Sequence, residues 1–320
     1  MISCRVAAAQ VSPVFMDRAH TIAKLGDAMA EAARGGAALV VFPETVIPGY
    51  PSWRGARPVS RWSEWMLRYQ DQSLEVGAPP FGELQAAVRR AGIWVAVGAS
   101  ELDRTRGACT LYNTMFLFDA SGTLVLRHRK LVPTHAERTL WGMGDGRDLV
   151  AVDAPFARIG GLICYEHLVP ALKAAMVEVG EEIHCALWSG FWVNDPHQGA
   201  KRRWRSGDPV EQEAAFTSRS YAVETQTFVI AVGNTIRPDD LPEEARDFDL
   251  GAGGSAIYGP GGTILAGPAL DQEAILYADC SEELRRAAKA YIDTAGHYAR
   301  RDAVQVSIRR DPTDGSERGG

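Results

Sequence analysis

Short apolar runs alternate with segments of helical period along the first hundred residues. Val6-Ala-Ala-Ala-Gln-Val11 is compact and apolar, and Ile22, Leu25, Met29 and Ala32 then recur at the spacing of one helix face until Gly35-Gly36 ends the pattern. Residues 38–42, Ala-Leu-Val-Val-Phe, form a continuous run rich in β-branched and aromatic side chains, which predicts a strand covered on both faces. A Trp-rich helical stretch (Trp62, Trp65, Met66, Tyr69) and a helix over 84–91 lead to another buried strand at 93–97. The period then shortens. Residues 113–118, the turn Asp119-Ala-Ser-Gly122 and residues 123–126 predict a hairpin.

The second half repeats this plan. Strands are expected at 157–164, 183–188 and 228–232 and helices at 170–179 and 211–226; residues 255–258, Gly259-Pro-Gly-Gly262 and residues 263–265 echo the first hairpin. Strands apolar on both sides need a cover on each face. The class predicted is therefore α/β: a four-layer α-β-β-α sandwich of two mixed sheets with an internal pseudo-repeat. No linker divides it, so residues 1–308 are expected to form one domain, with 309–320, rich in Asp, Gly, Ser and Arg, a disordered tail.

Composition narrows the classes. The 34 Lys and Arg against 40 Asp and Glu give a net charge of −6 over 320 residues, which removes the general electrostatic drive toward phosphate backbones. The one basic cluster with an aromatic, Lys201-Arg-Arg-Trp-Arg205, reads as a solvated or subunit-contacting face, so no nucleic acid is expected. No apolar run approaches the roughly 18 residues of a membrane span, and no leader pattern of basic then apolar residues opens the chain. Five cysteines without a C-x-x-C pair argue against a disulfide framework or a zinc knuckle, and cytoplasmic localisation is expected. His128 and His135 lack a third ligand at metal-binding spacing, and Gly142-x-Gly144-x-Gly146 is too closely spaced for a dinucleotide fingerprint. Neither a metal nor another cofactor is expected.

Three reactive side chains end predicted strands. Cys164 follows Ile159-Gly-Gly-Leu-Ile163 and precedes a helix-starting Pro170, an elbow that would present a thiol at the carboxyl edge of a sheet, although a buried apolar cysteine is the plainer reading of the residue alone. Glu44 directly follows the run 38–42, where a carboxylate has the placement of a general base, although a turn-capping carboxylate fits as well. Lys130 ends 126–130, where an exposed strand end is the plainer reading. Together, a thiol, a carboxylate and an ammonium suffice for covalent acyl-type chemistry.

Phe42-Pro-Glu44-Thr-Val-Ile-Pro-Gly49-Tyr50-Pro51, His128-Arg-Lys130-Leu-Val-Pro133-Thr-His-Ala-Glu137-Arg138, Trp141-Gly-Met-Gly-Asp-Gly146 and Cys164-Tyr-Glu166-His167 resemble the nitrilase branch of the carbon-nitrogen hydrolase superfamily. The resemblance spans about residues 5 to 300. It implies a Glu-Lys-Cys triad of Glu44 as base, Lys130 as cationic stabiliser and Cys164 as nucleophile, with Glu137 as a further acid near the reacting centre. Tyr50, Trp141, Tyr165, His167 and Trp188 are the positions expected to bind substrate, His167 having a supporting hydrogen-bonding role as its alternative. The implied activity is hydrolysis of a small nitrile to acid and ammonia without a cofactor, in a homo-oligomer. An amidase or N-carbamoyl hydrolase on the same triad is the alternative, and a non-catalytic binding protein on the same fold a third. Two departures touch the pocket: Tyr165 stands where the branch has tryptophan, and Ser189-Gly190-Phe191 follows Trp188 where proline is expected. The aromatics of 62–69 exceed what one helix face would bury, which also points to a partner subunit.

Overall fold

The computed structural model describes residues 1–190, 193–194, 201–202, 213–236, 240–241, 243 and 253–310. The first half runs β1 (Ser3–Gln10), α1 (Arg18–Arg34), β2 (Leu39–Val41), α2 (Val59–Gln72), α3 (Pro79–Ala91), β3 (Trp94–Asp103), β4 (Thr110–Phe118) and β5 (Leu124–Arg129). The second runs β6 (Val152–Asp153), β7 (Arg158–Ile163), α4 (Pro170–Glu178), β8 (Ile183–Trp188), the short β9 (Val193–Asn194) and β10 (Lys201–Arg202), α5 (Glu213–Thr225), β11 (Phe228–Gly233), β12 (Gly253–Tyr258), β13 (Ile264–Leu270), β14 (Ala274–Ser281) and α6 (Glu282–Tyr291). Local rules set the ends: the Asp17 carboxylate accepts from His20 N–H to start α1, and Gly35 closes it.

Two six-stranded sheets share one plan, in the orders β14-β1-β2-β3-β4-β5 and β6-β7-β8-β11-β12-β13. Each has an antiparallel edge strand, three parallel strands and an antiparallel hairpin. The expected pseudo-repeat is thus present, and the two sheets are mixed. Among the elements the sequence pattern does not predict is β14, the final strand of the second half, which crosses over to pair with β1 of the first sheet. Its residues are mostly half-exposed, as on an edge strand, so no buried run marks it.

The layers follow the pleat. Val6 and Ala8 of β1 face the middle layer with Leu39, Val41, Ile159 and Ile163, while Ala7 and Ala9 face Leu25, Met29, Leu84 and Val88 of α1 and α3. Met176 and Tyr221 of α4 and α5 cover the second sheet. Trp65 and Tyr69 of α2 are buried within the chain, beside Trp53 and Trp141, and Trp62 is half-buried. For Trp65 and Tyr69 the expectation of a covering partner subunit is therefore corrected: the chain covers both itself. Among the described residues, no helix is long and apolar enough to cross a membrane. Of the basic cluster 201–205 and the tail 309–320, residues 203–205 and 311–320 lie outside the described residues, as does Phe191.

Candidate active site

The strand ends converge where the carboxyl edges of the two sheets meet. Glu44 lies three residues beyond β2, Lys130 directly beyond β5, Cys164 directly beyond β7, and Trp188 ends β8. The backbone crosses between the sheets here, Glu44 N–H donating to Trp188 O at 3.2 Å and Asn234 Nδ2 donating to Glu44 O at 2.8 Å. Gly98 of β3 makes the approach feasible: a Cβ at that position would meet Pro43 O at 2.4 Å and Glu44 Cα at 2.6 Å.

Lys130 Nζ donates to Glu44 Oε1 and to Glu137 Oε2, each at 2.9 Å, and all three side chains are buried. Glu44 Oε1 also accepts from Asn113 Nδ2 at 2.6 Å, whereas among the described residues none donates to Oε2. Glu137 accepts from the Tyr50 hydroxyl at 2.7 Å and from Thr134 N–H at 2.8 Å. The two carboxylates part electrostatically. Burial raises the pKa of Glu44, and the negative charge of Glu137 adds to this against the pull of Lys130. Burial pushes Glu137 up as well, but Lys130, Tyr50 and Thr134 more than offset it and hold Glu137 below the ordinary carboxylate range. Burial opposes charge on Lys130 too, yet the two carboxylates keep its pKa well above normal, so it stays an ammonium.

Cys164 begins a short 3-10 turn, Cys164–Leu168, with a left-handed φ of 54°. Burial and then the Glu44 carboxylate drive its thiol pKa well up, with Lys130 and the Tyr165 N–H pulling the other way, so the resting group is the thiol. Left-handed backbone also occurs at Thr45 (φ 43°) and His135 (φ 48°), one residue beyond Glu44 and Thr134 respectively. For a β-branched threonine this conformation is strained, and such strain collects at working sites.

Glu166 fastens the Cys164 turn to the Lys130 strand end. Its carboxylate accepts from Ile163 N–H at 2.7 Å and Leu131 N–H at 2.9 Å, and lies 2.9 Å from His128 Nε2. Burial opposes both charges, but the mutual attraction raises the pKa of His128 and lowers that of Glu166.

Tyr50, Glu137, Cys164, Tyr165 and Trp188 line one cleft. Two residues expected there are elsewhere. Trp141 is buried against Tyr50 and Tyr69 and gives its indole N–H to Ser100 Oγ at 3.2 Å, because its chain segment pairs with Leu111 beside β4. His167 lies beneath the elbow, stacked 5.1 Å from Trp188, with Nδ1 2.7 Å from Cys164 O, which is its alternative, supporting place. The cleft also contains residues that sequence reasoning passed over: Arg54, whose guanidinium lies 5.1 Å over the Tyr50 ring, His135, and Glu213, which accepts from the Tyr165 hydroxyl at 2.9 Å. Arg54 and Glu213 carry no local signal, since charged residues on loops and helix starts are ordinary. Asn113 does carry one, as a polar residue inside the apolar strand β4. Among the described residues no group of three His, Cys, Asp or Glu is placed to hold a metal ion.

A thiol, an ammonium and two unlike carboxylates at one sheet edge, on this layered α/β frame, define a class of enzyme: hydrolases that work through a cysteine. The family model described as carbon-nitrogen hydrolase matches residues 5–290, and the chain belongs to that family. It is 39% identical over 315 residues to an aliphatic nitrilase of Rhodococcus rhodochrous, covering 96% of this chain and 82% of that protein. It is 36% identical over 317 residues to a nitrilase of Pseudomonas syringae pv. syringae, covering 97% and 90%. Among solved structures, Saccharomyces cerevisiae Nit3, a member of branch 10 of the nitrilase superfamily, superposes with a TM-score of 0.72 at 19% identity over 93% of this chain and 97% of that one.

Proposed function

We propose that the protein hydrolyses a nitrile to the carboxylic acid and ammonia, with Glu44, Lys130, Cys164 and Glu137 as its catalytic residues. The observation that carries this is the buried Glu44–Lys130–Glu137 chain whose charges all act on the Cys164 thiol; the nitrilase relatives support it. A protonated, buried thiol needs a base. Glu44, with its raised pKa and an Oε2 to which none of the described residues donates, takes the proton as sulfur adds to the nitrile carbon. The proton passes on to the nitrogen and gives a thioimidate. Water adds to form a tetrahedral intermediate, ammonia leaves once its nitrogen is protonated, and a second water releases acid from the thioester while the sulfur regains its proton. Lys130 stabilises negative charge throughout, and Glu137 keeps it ionised and oriented.

Tyr50, Tyr165 and Trp188 form the substrate walls in this reading, and Trp141 and His167 support them from behind. An amide or carbamoyl substrate is the second reading, favoured by the polar Tyr165–Glu213 contact in the cleft. Ammonia release from a panel of nitriles against the matching amides decides between them; amide-only turnover would replace the nitrile reading. The protein is further proposed to be one catalytic unit over 1–308 and to act in the cytoplasm as a homo-oligomer. The exposed apolar side chains Phe216, Val223 and Ile264 of α5 and β13 support an interface with a second copy.

A further inference from the structure

Behind the nucleophile a file of polar groups runs into the core. His167 Nδ1 lies 2.7 Å from Cys164 O, and His167 Nε2 lies 2.9 Å from His184 Nε2. His184 Nδ1 lies 3.0 and 2.8 Å from the two oxygens of Glu181, whose Oε1 also accepts from the Tyr221 hydroxyl. The whole file is sealed from solvent, with Glu181 at 2% exposure and the others at 0%. The second sheet makes room for it: a Cβ at Gly160 of β7 would stand 2.3 Å from Glu181 Oε2. A carboxylate and two imidazoles buried this way are costly unless each contact is satisfied.

Satisfying them fixes the protons. A carbonyl only accepts, so His167 Nδ1 carries hydrogen. Burial, then the neighbouring His184, lower the pKa of His167 to about 3, so this ring is neutral and its Nε2 is a bare acceptor. His184 Nε2 must therefore donate. Its Nδ1 faces a carboxyl group, and that contact is a hydrogen bond only if one more proton lies between them, on His184 or on Glu181. The Cys164–Tyr165 peptide sits at the end of the file: its carbonyl receives the His167 hydrogen, and its N–H pulls the pKa of the Cys164 thiol downward, toward the thiolate.

We propose that His184 and Glu181 are positioning residues, the proton they share polarising the Cys164–Tyr165 peptide through His167 and strengthening the Tyr165 N–H as a donor to the reacting sulfur. Aligned hydrogen bonds reinforce one another in a dry interior, and a positively biased His184 makes His167 a better donor. The proposal rests on Cys164 being the nucleophile.

Glu181→Gln isolates the effect. The amide can donate to a bare His184 Nδ1 and accept from Tyr221, so the contacts persist while the shared proton is gone. The expected result is a fall in kcat on the order of tenfold with KM changed less than about twofold, and a matching fall in the rate at which iodoacetamide alkylates Cys164, read by peptide mass. Tyr221→Phe, which deletes one donor to Glu181 and draws the proton away from His184, should move both rates in the same direction and serves if the first variant does not fold. A lower melting temperature with unchanged kcat and alkylation rate in either variant would make the file purely structural and overturn the proposal. Alkylation needs no nitrile, so wild-type protein that alkylates normally but releases no ammonia would instead count against the nitrile reading.

Discussion

Glu44 and Glu137 accept from the same ammonium at the same distance, 2.9 Å from Lys130 Nζ, yet their proton affinities are driven apart. The difference lies in their other partners. Glu137 has the Tyr50 hydroxyl and the Thr134 N–H to steady its charge, whereas among the described residues Glu44 has one amide on one oxygen and no donor on the other. One carboxylate is thereby fitted to stay ionised and the other to exchange a proton, a division by environment that acid–base catalysis uses repeatedly.

Replacing Cys164 by alanine should lower turnover by at least about a thousandfold, since a residue acting within such a unit costs nearly as much as losing the whole. The small side chain fits the buried site, so the melting temperature should stay close to that of the wild type. Appreciable residual turnover in pure variant would remove Cys164 as nucleophile.

Glu44→Gln and Lys130→Met should both abolish most activity and differ in stability. The glutamine can still accept from Lys130 and Asn113, so folding should survive nearly intact. Methionine would leave Glu44 and Glu137 buried without their cation, a loss of about 3–5 kcal/mol in denaturant unfolding. Equal stability of the two variants would contradict the ion-pair geometry.

The acid side of the rate profile should sit high. Glu44 must be ionised to take the thiol proton, and its pKa is raised, chiefly by burial, so kcat/KM should fall as pH drops while still above the ordinary carboxylate value of about 4.3. Stability follows the lowered pair Glu137 and Glu166 instead. Their contribution is present above the unfolded pKa near 4.3 and is lost as pH falls through their lower folded values, so activity should fail before the fold does. Parallel kcat/KM and circular-dichroism titrations check the order.

Gly98→Ala should act at a distance from the chemistry. The added methyl would press on Pro43 O and Glu44 Cα, both backbone atoms, and push the base away from Lys130. A fall in kcat of about a hundredfold is expected, as for a misplacement of about 1 Å. Near wild-type kcat would mean that the Pro43–Thr45 segment yields without moving the carboxylate.

Product should be mainly acid, with amide minor. Protonation of the amino group at the tetrahedral intermediate favours ammonia over thiolate as leaving group, and Glu44, Lys130 and Glu137 are all retained to promote it. Chromatography of early product from a small nitrile tests this, amide excess being the contrary outcome. Glu137→Gln should shift the ratio toward amide or stop turnover, and an unchanged rate and ratio would take Glu137 out of the mechanism.

Much of this was legible in the chain itself. The doubly apolar runs ending at Phe42 and Ile163 announced covered strands, the two hairpins announced the repeat, and Glu44, Lys130 and Cys164 stood at strand ends where the period broke. Those signals are local: burial on both faces imposes its pattern on consecutive residues. What a side chain meets across the fold leaves no such mark. Only the tertiary structure decided that β14 completes the first sheet, that Trp65 and Tyr69 are covered by their own chain, and that Trp141 and His167 stand behind the cleft while Arg54 and Glu213 enter it. It alone decided the proton affinities as well, because the difference between Glu44 and Glu137 comes from Asn113, Tyr50 and Thr134, brought to them by pairing and packing rather than by neighbourhood in sequence.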